Sequence, residues 1–86
     1  MEDIPHILVV DDDNRLRELL RKFLNENNFR VTTSANAAEA RKILTSLVFD
    51  LLVLDVMMPG ESGLELTSVL RKTSGVPILL LTAMGE

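Results

Sequence analysis

The sequence predicts a small α/β domain with a doubly wound parallel sheet, and three observations lead there. Short apolar runs, Ile7–Val10, Leu51–Leu54 and Ile78–Leu81, recur without polar alternation, as strands buried on both faces do. Stretches with apolar residues at helical spacing separate them. Each of the three runs also ends in a polar residue: Asp11, Asp55 and Thr82. Strands alternating with helices of this length imply right-handed crossovers and helices on both faces of the sheet.

Taken in order, His6–Val10 reads as the first strand, with His6 as the residue that starts it and not a ligand. Leu16, Leu19, Leu20, Phe23 and Leu24 form the apolar stripe of a helix, and Asp13 is placed to cap it. Asn25 to Asn28 breaks that helix. Residues 29–34, with Val31, Thr32 and Thr33, make a more polar strand suited to a sheet edge. Asn36 and Glu39 then resemble a capping box, opening a helix to about Ser46 that presents Ala40, Ile43, Leu44 and Leu47.

Residues 50–56 form the most hydrophobic strand, and Pro59-Gly60-Glu61-Ser62-Gly63 is a loop of turn formers. Ser62 and Glu65 make a capping-box pair for a third helix with Leu64, Leu66, Val69 and Leu70 inward. Pro77 starts the fourth strand, where a missing N–H is tolerated.

The bulk composition narrows the function classes. The 86 residues are 47% hydrophobic and 26% charged, which fits one folded domain. A net charge of −4 with scattered Lys and Arg gives no nucleic-acid footprint. There is no cysteine, so disulfides and thiolate metal sites are excluded. No apolar run approaches a membrane span, and the acidic Met1-Glu2-Asp3 start carries no signal core, so a cytoplasmic protein is expected.

In a doubly wound sheet the ligand site lies beyond the carboxyl ends of the strands. Asp11, Asp12, Asp55 and Thr82 all belong to that end. Three carboxylates brought together must hold protons or bind a cation. Without Cys or a second His, the ligands are all oxygen and favour a hard cation. Mg²⁺ suits a site of few protein oxygens that leaves room for water and phosphate, whereas the D-x-D-x-D-G calcium loop is absent. A carboxylate beside such a cation can attack a phosphoryl group and form an acyl phosphate. No P-loop and no G-x-G-x-x-G is present, so nucleotide binding has no support.

Ile7-Leu8-Val9-Val10-Asp11-Asp12-Asp13, the stretch Asp50 through Gly60, Gly63, and Val76 through Ala83 together resemble the receiver domain of two-component response regulators. The resemblance covers the whole chain. It implies a flavodoxin-like (CheY-like) sheet, here of four strands in the order 2-1-3-4 with three helices. It also implies that residues 1–86 are the N-terminal portion of that domain, without its fourth helix, fifth strand and fifth helix, and with no effector domain.

By position, Asp55 would be the phosphoacceptor. Asp12 would ligate Mg²⁺ directly and Asp11 mainly through water, with Asp55 and the Met57 backbone carbonyl completing the metal site. Thr82 would be the switch hydroxyl. The residues after the fourth strand resemble the OmpR/PhoB-type subfamily, which carries a C-terminal DNA-binding domain. The implied partner is a sensor histidine kinase, with DNA reached only through that other domain. The implied activity is at most self-catalysed phosphorylation and dephosphorylation, and not an enzyme's.

Two other readings stand beside this one. A haloacid-dehalogenase-type phosphatase would need D-x-D at the nucleophile, and Met57 occupies the position two after Asp55. The other is a phosphorylation-incompetent interaction module; under either function the open edge of the fourth strand predicts a homodimer or an element-exchanged oligomer of the 86-residue chain.

Overall fold

A computed structural model describes residues 4–82. The elements run β1 (His6–Val10), α1 (Asn14–Glu26), β2 (Arg30–Ser34), α2 (Ala37–Ser46), β3 (Leu51–Asp55), α3 (Gly63–Leu70) and β4 (Ile78–Leu81). All strand pairs are parallel and the order is β2-β1-β3-β4, as the resemblance implies. The pairing sets Val10 beside Leu54 and Asp55 beside Leu81, so the carboxyl ends of β1, β3 and β4 lie together.

Local chemistry accounts for the helix starts. The Asp13 side chain accepts hydrogen bonds from the Arg15 and Leu16 amides at the head of α1. Ser62 and Glu65 form a complete capping box on α3. At α2 the expected box is shifted: Asn36 accepts from the Glu39 amide, but Glu39 accepts from Ala35 and not from Asn36. The chain leaves α1 through Asn28, whose φ of 72° is a left-handed conformation that Asn tolerates better than most residues.

The pleat divides the sheet into two faces. One carries Leu8, Val10, Leu52 and Leu54 and is covered by α2 and α3 through Ala37, Ala40, Leu66, Ile43, Leu44 and Leu70. The other carries Ile7, Val9 and Val53 beneath α1, through Leu20 and Leu24.

Several residues expected to face inward do not. On α1, Leu19 and Phe23 are 63% and 57% exposed. The apolar stripe there is wider than the strip of sheet the helix covers. On α3, Leu64 and Val69 are also exposed, leaving Leu66 buried and Leu70 packed against the core. Leu47 is the C-cap of α2 and lies outside its last turn.

Candidate functional site

β1 and β3 are neighbours in space, but β2 follows β1 in sequence and lies on its other side. The chain therefore reverses direction across the sheet between β1 and β3. A crevice opens there beyond the strand ends because the two connections leave toward opposite faces. Asp11 follows β1 at that crevice and Asp55 closes β3.

Asp11, Asp12 and Asp55 each offer a carboxylate oxygen, and these atoms all lie within 4.8 Å of one another. They differ in setting. Asp11 is 2% exposed, its Oδ1 accepting the Asp13 amide at 2.8 Å, while Asp12 is exposed and Asp55 half-buried. Asp55 Oδ1 accepts the Met57 amide at 3.0 Å.

The Asp55 carboxyl titrates above its ordinary value. Burial is the main cause, the Asp11 and Asp12 carboxylates add to it, and the Met57 amide opposes it. Neither of the two ion pairs among the described residues involves these acids. Clustered carboxylates without a cationic partner favour either a shared proton or a bound cation. The donors are hard oxygens and few, a set that fits a divalent ion keeping several water or phosphate ligands.

Similarity to known proteins agrees with this geometry. Residues 7–86 match the response regulator receiver domain. The chain belongs to that family.

Protein PetR of Rhodobacter capsulatus is 61% identical over 82 residues, covering 95% of this chain and 35% of PetR. The transcriptional regulatory protein ResD of Bacillus subtilis is 42% identical over 80 residues, covering 93% of this chain and 33% of ResD. The chain thus spans about a third of the length of these relatives.

Among solved structures, a response regulator receiver protein from Pseudomonas putida superposes with a TM-score of 0.91 at 28% identity, covering all of this chain and 74% of that one. Response regulator TrrA of Thermotoga maritima, in complex with Mg²⁺ and beryllofluoride, gives 0.88 at 43% identity over 95% of this chain and 72% of TrrA. The fold and the family read from the sequence are those found.

Within this receiver domain the remaining expected residues are placed less tightly. Thr82 directly follows Leu81, the register partner of Asp55, and is exposed at the same end of the sheet. The Met57 side chain is 68% exposed, and its backbone amide already contacts Asp55.

Two features went unread in the sequence. Arg17 reaches back from α1 to donate to the Asp11 carbonyl at 2.7 Å, tying the first carboxylate loop to the helix after it. Arg41 of α2 makes a two-pronged ion pair with Glu61, 20 residues on. The pair borders a groove of about 620 Å³ whose lining also includes Asp12, Asn36, Ala38 and Gly60. Each of these basic residues sits among mixed charges on its helix, Arg17 half-buried and Arg41 exposed, so pattern alone gives no signal for either. Among the described residues, no helix is long and apolar enough to cross a membrane.

Proposed function

We propose that this receiver domain is a phosphoacceptor. A carboxylate oxygen of Asp55 attacks phosphorus, the bond from phosphorus to the donor's imidazole nitrogen breaks, and the nitrogen keeps the electron pair. The product is an aspartyl phosphate. The donor is a sensor histidine kinase, and in a longer protein the modified domain shifts the balance between states that differ in DNA affinity. PetR and ResD, about three times as long as this chain, are consistent with such a protein.

Asp11, Asp12, Asp55 and the Met57 carbonyl are the residues that would hold Mg²⁺, which supplies charge neutralisation for the phosphoryl oxygens. The Asp13 amide fixes Asp11, the Met57 amide orients Asp55, and the Thr82 hydroxyl is the donor at the third strand end. The module acts on itself and not on a separate substrate, so it is not an enzyme in the turnover sense.

The observation that carries the proposal is the convergence of three carboxylates at the crevice where the strand order reverses. The chain has no Trp or Tyr, so calorimetry and mass spectrometry are the suitable readouts. Wild type should bind Mg²⁺ and beryllofluoride and gain one hydroxylamine-labile phosphoryl group, and Asp55→Asn should gain none. A full-length protein that forms no Mg²⁺-dependent adduct would sink the reading.

A second reading, an interaction module that never receives phosphate, draws on the exposed Leu19, Phe23 and Leu79. It predicts self-association that is unchanged by Asp55→Asn.

A further inference from the structure

The loop from Val56 to Ser62 joins Asp55 to α3; its Val56 amide bonds the Leu81 carbonyl at 2.9 Å and Ser62 belongs to the α3 capping box, which leaves Pro59, Gly60 and Glu61 between the buried Met58 and that cap. The Gly63 amide bonds the Val56 carbonyl at 3.2 Å, and the Met57 amide bonds Asp55, but Pro59 and Gly60 are exposed and Gly60 adopts φ 77°. Short exposed loops of this kind open at little free-energy cost.

The exception is Glu61. Both of its carboxylate oxygens accept from Arg41, Nε donating to Oε1 at 2.9 Å and the second nitrogen donating to Oε2. A planar guanidinium meeting a carboxylate in this fork restricts orientation as well as distance. The other ion pair among the described residues, Arg21–Glu18, lies within one turn of α1. Arg41–Glu61 alone among them joins a helix to a loop distant in sequence, and it does so along the groove that Asp12 edges.

We infer that Arg41 and Glu61 are positioning residues for the carboxylate site: their ion pair ties the loop carrying Met57 to α2 and so keeps the Met57 backbone in register with Asp55. The inference rests on the phosphoacceptor reading for its functional consequence, although the tether itself does not. The Met57 amide holds Asp55 Oδ1 only while residues 56–58 keep their path. Met58, buried at 7% exposure, anchors the middle of that path, and the ion pair anchors its far end. Without the pair, four exposed or half-buried residues, from Pro59 to Ser62, would separate Met58 from the first residue of α3.

The test compares Arg41→Glu, Glu61→Arg and the double exchange with wild type, and Arg41→Gln serves if a reversal fails to fold. Amide hydrogen exchange of Met57 and Gly63 is read without metal or donor. Mg²⁺ binding is read by calorimetry, and Asp55 phosphorylation by mass spectrometry with a small phosphoramidate donor.

Each single reversal should speed exchange at both amides and weaken Mg²⁺ binding by about three- to fivefold, the range a part-exposed ion pair supports. Melting temperature should fall little, and the double exchange should recover both readouts. Single variants that match wild type in loop exchange and Mg²⁺ affinity overturn the inference, as does a double exchange no better than the singles. A wild type that binds neither Mg²⁺ nor phosphoryl refutes the phosphoacceptor reading instead, and the exchange data still decide the tether.

Discussion

The two faces of the sheet are made from the same strands, residue by alternate residue, yet they reach different ends. Under α2 and α3, Leu8, Leu52 and Leu54 are fully buried, and Phe49 and Met58 close the margins. Under α1, the inner strands bury Ile7, Val9 and Val53, but on β4 Leu79 is 53% exposed, and Leu19 and Phe23 of the helix are more exposed still. Hydrophobicity does not separate the faces. What separates them, among the described residues, is the number of helices lying over each: α2 and α3 on one side, α1 on the other.

The largest effect should come from truncating the doubly covered face. Leu52→Ala is expected to cost about 2–5 kcal/mol, close to the whole stability of a small domain. Leu79→Ala, which removes a side chain already half in water, should cost less than about 1 kcal/mol. Urea unfolding of both variants measures this, and equal costs would break the comparison.

Next comes Gly63, where a β-carbon would stand 2.3 Å from the Asp55 carbonyl oxygen. Gly63→Ala should cost about 1–3 kcal/mol by overpacking. The same unfolding experiment should show it, with a change in the Asp55 environment by NMR.

The thinly covered face makes its own prediction. If Leu19, Phe23 and Leu79 drive self-association of the 86-residue chain, then Phe23→Glu with Leu79→Lys should raise the dimer dissociation constant about tenfold or more. Sedimentation equilibrium decides it, and a wild type that is monomeric at all concentrations would show that the patch is tolerated singly.

The smallest effect concerns His6, at the rim of the well-covered face. It bonds Thr32 Oγ1 at 2.7 Å and packs its ring 4.4 Å from that of Phe49. Burial, aided by Arg30 and opposed by Asp50, lowers its pKa below 6.5. The folded state therefore binds fewer protons than the unfolded state just below pH 6.5. Stability from this group is complete above that pH and declines as pH falls toward the folded pKa. His6→Gln should remove that slope between the His and carboxylate ranges, as thermal unfolding across pH would show.

Much of this is legible in the sequence. The strand His6–Val10, the caps Asp13, Asn36 and Ser62, and the polar edge strand were read within a residue or so, because each has a local cause. The clustering of Asp11, Asp12 and Asp55 was legible too, since parallel strands in a doubly wound sheet fix where their ends meet.

What escaped was non-local. Leu19 and Phe23 fit a helical stripe, and spacing alone could not say how wide a strip of sheet awaited them. Arg17 and Arg41 looked like solvated helix residues until their partners, a backbone carbonyl and a glutamate 20 positions away, were in place.

The close approach at Gly63 has a mechanical side. With the Asp55 carbonyl pressed against its α-carbon and its amide bonded to the Val56 carbonyl, the head of α3 and the tip of β3 are fused into one stiff piece. Among the described residues, β4 is bonded along its β3 side. The glycine at the head of α3 acts as a rivet, and a side chain there would have to pry the helix away from the strand tip.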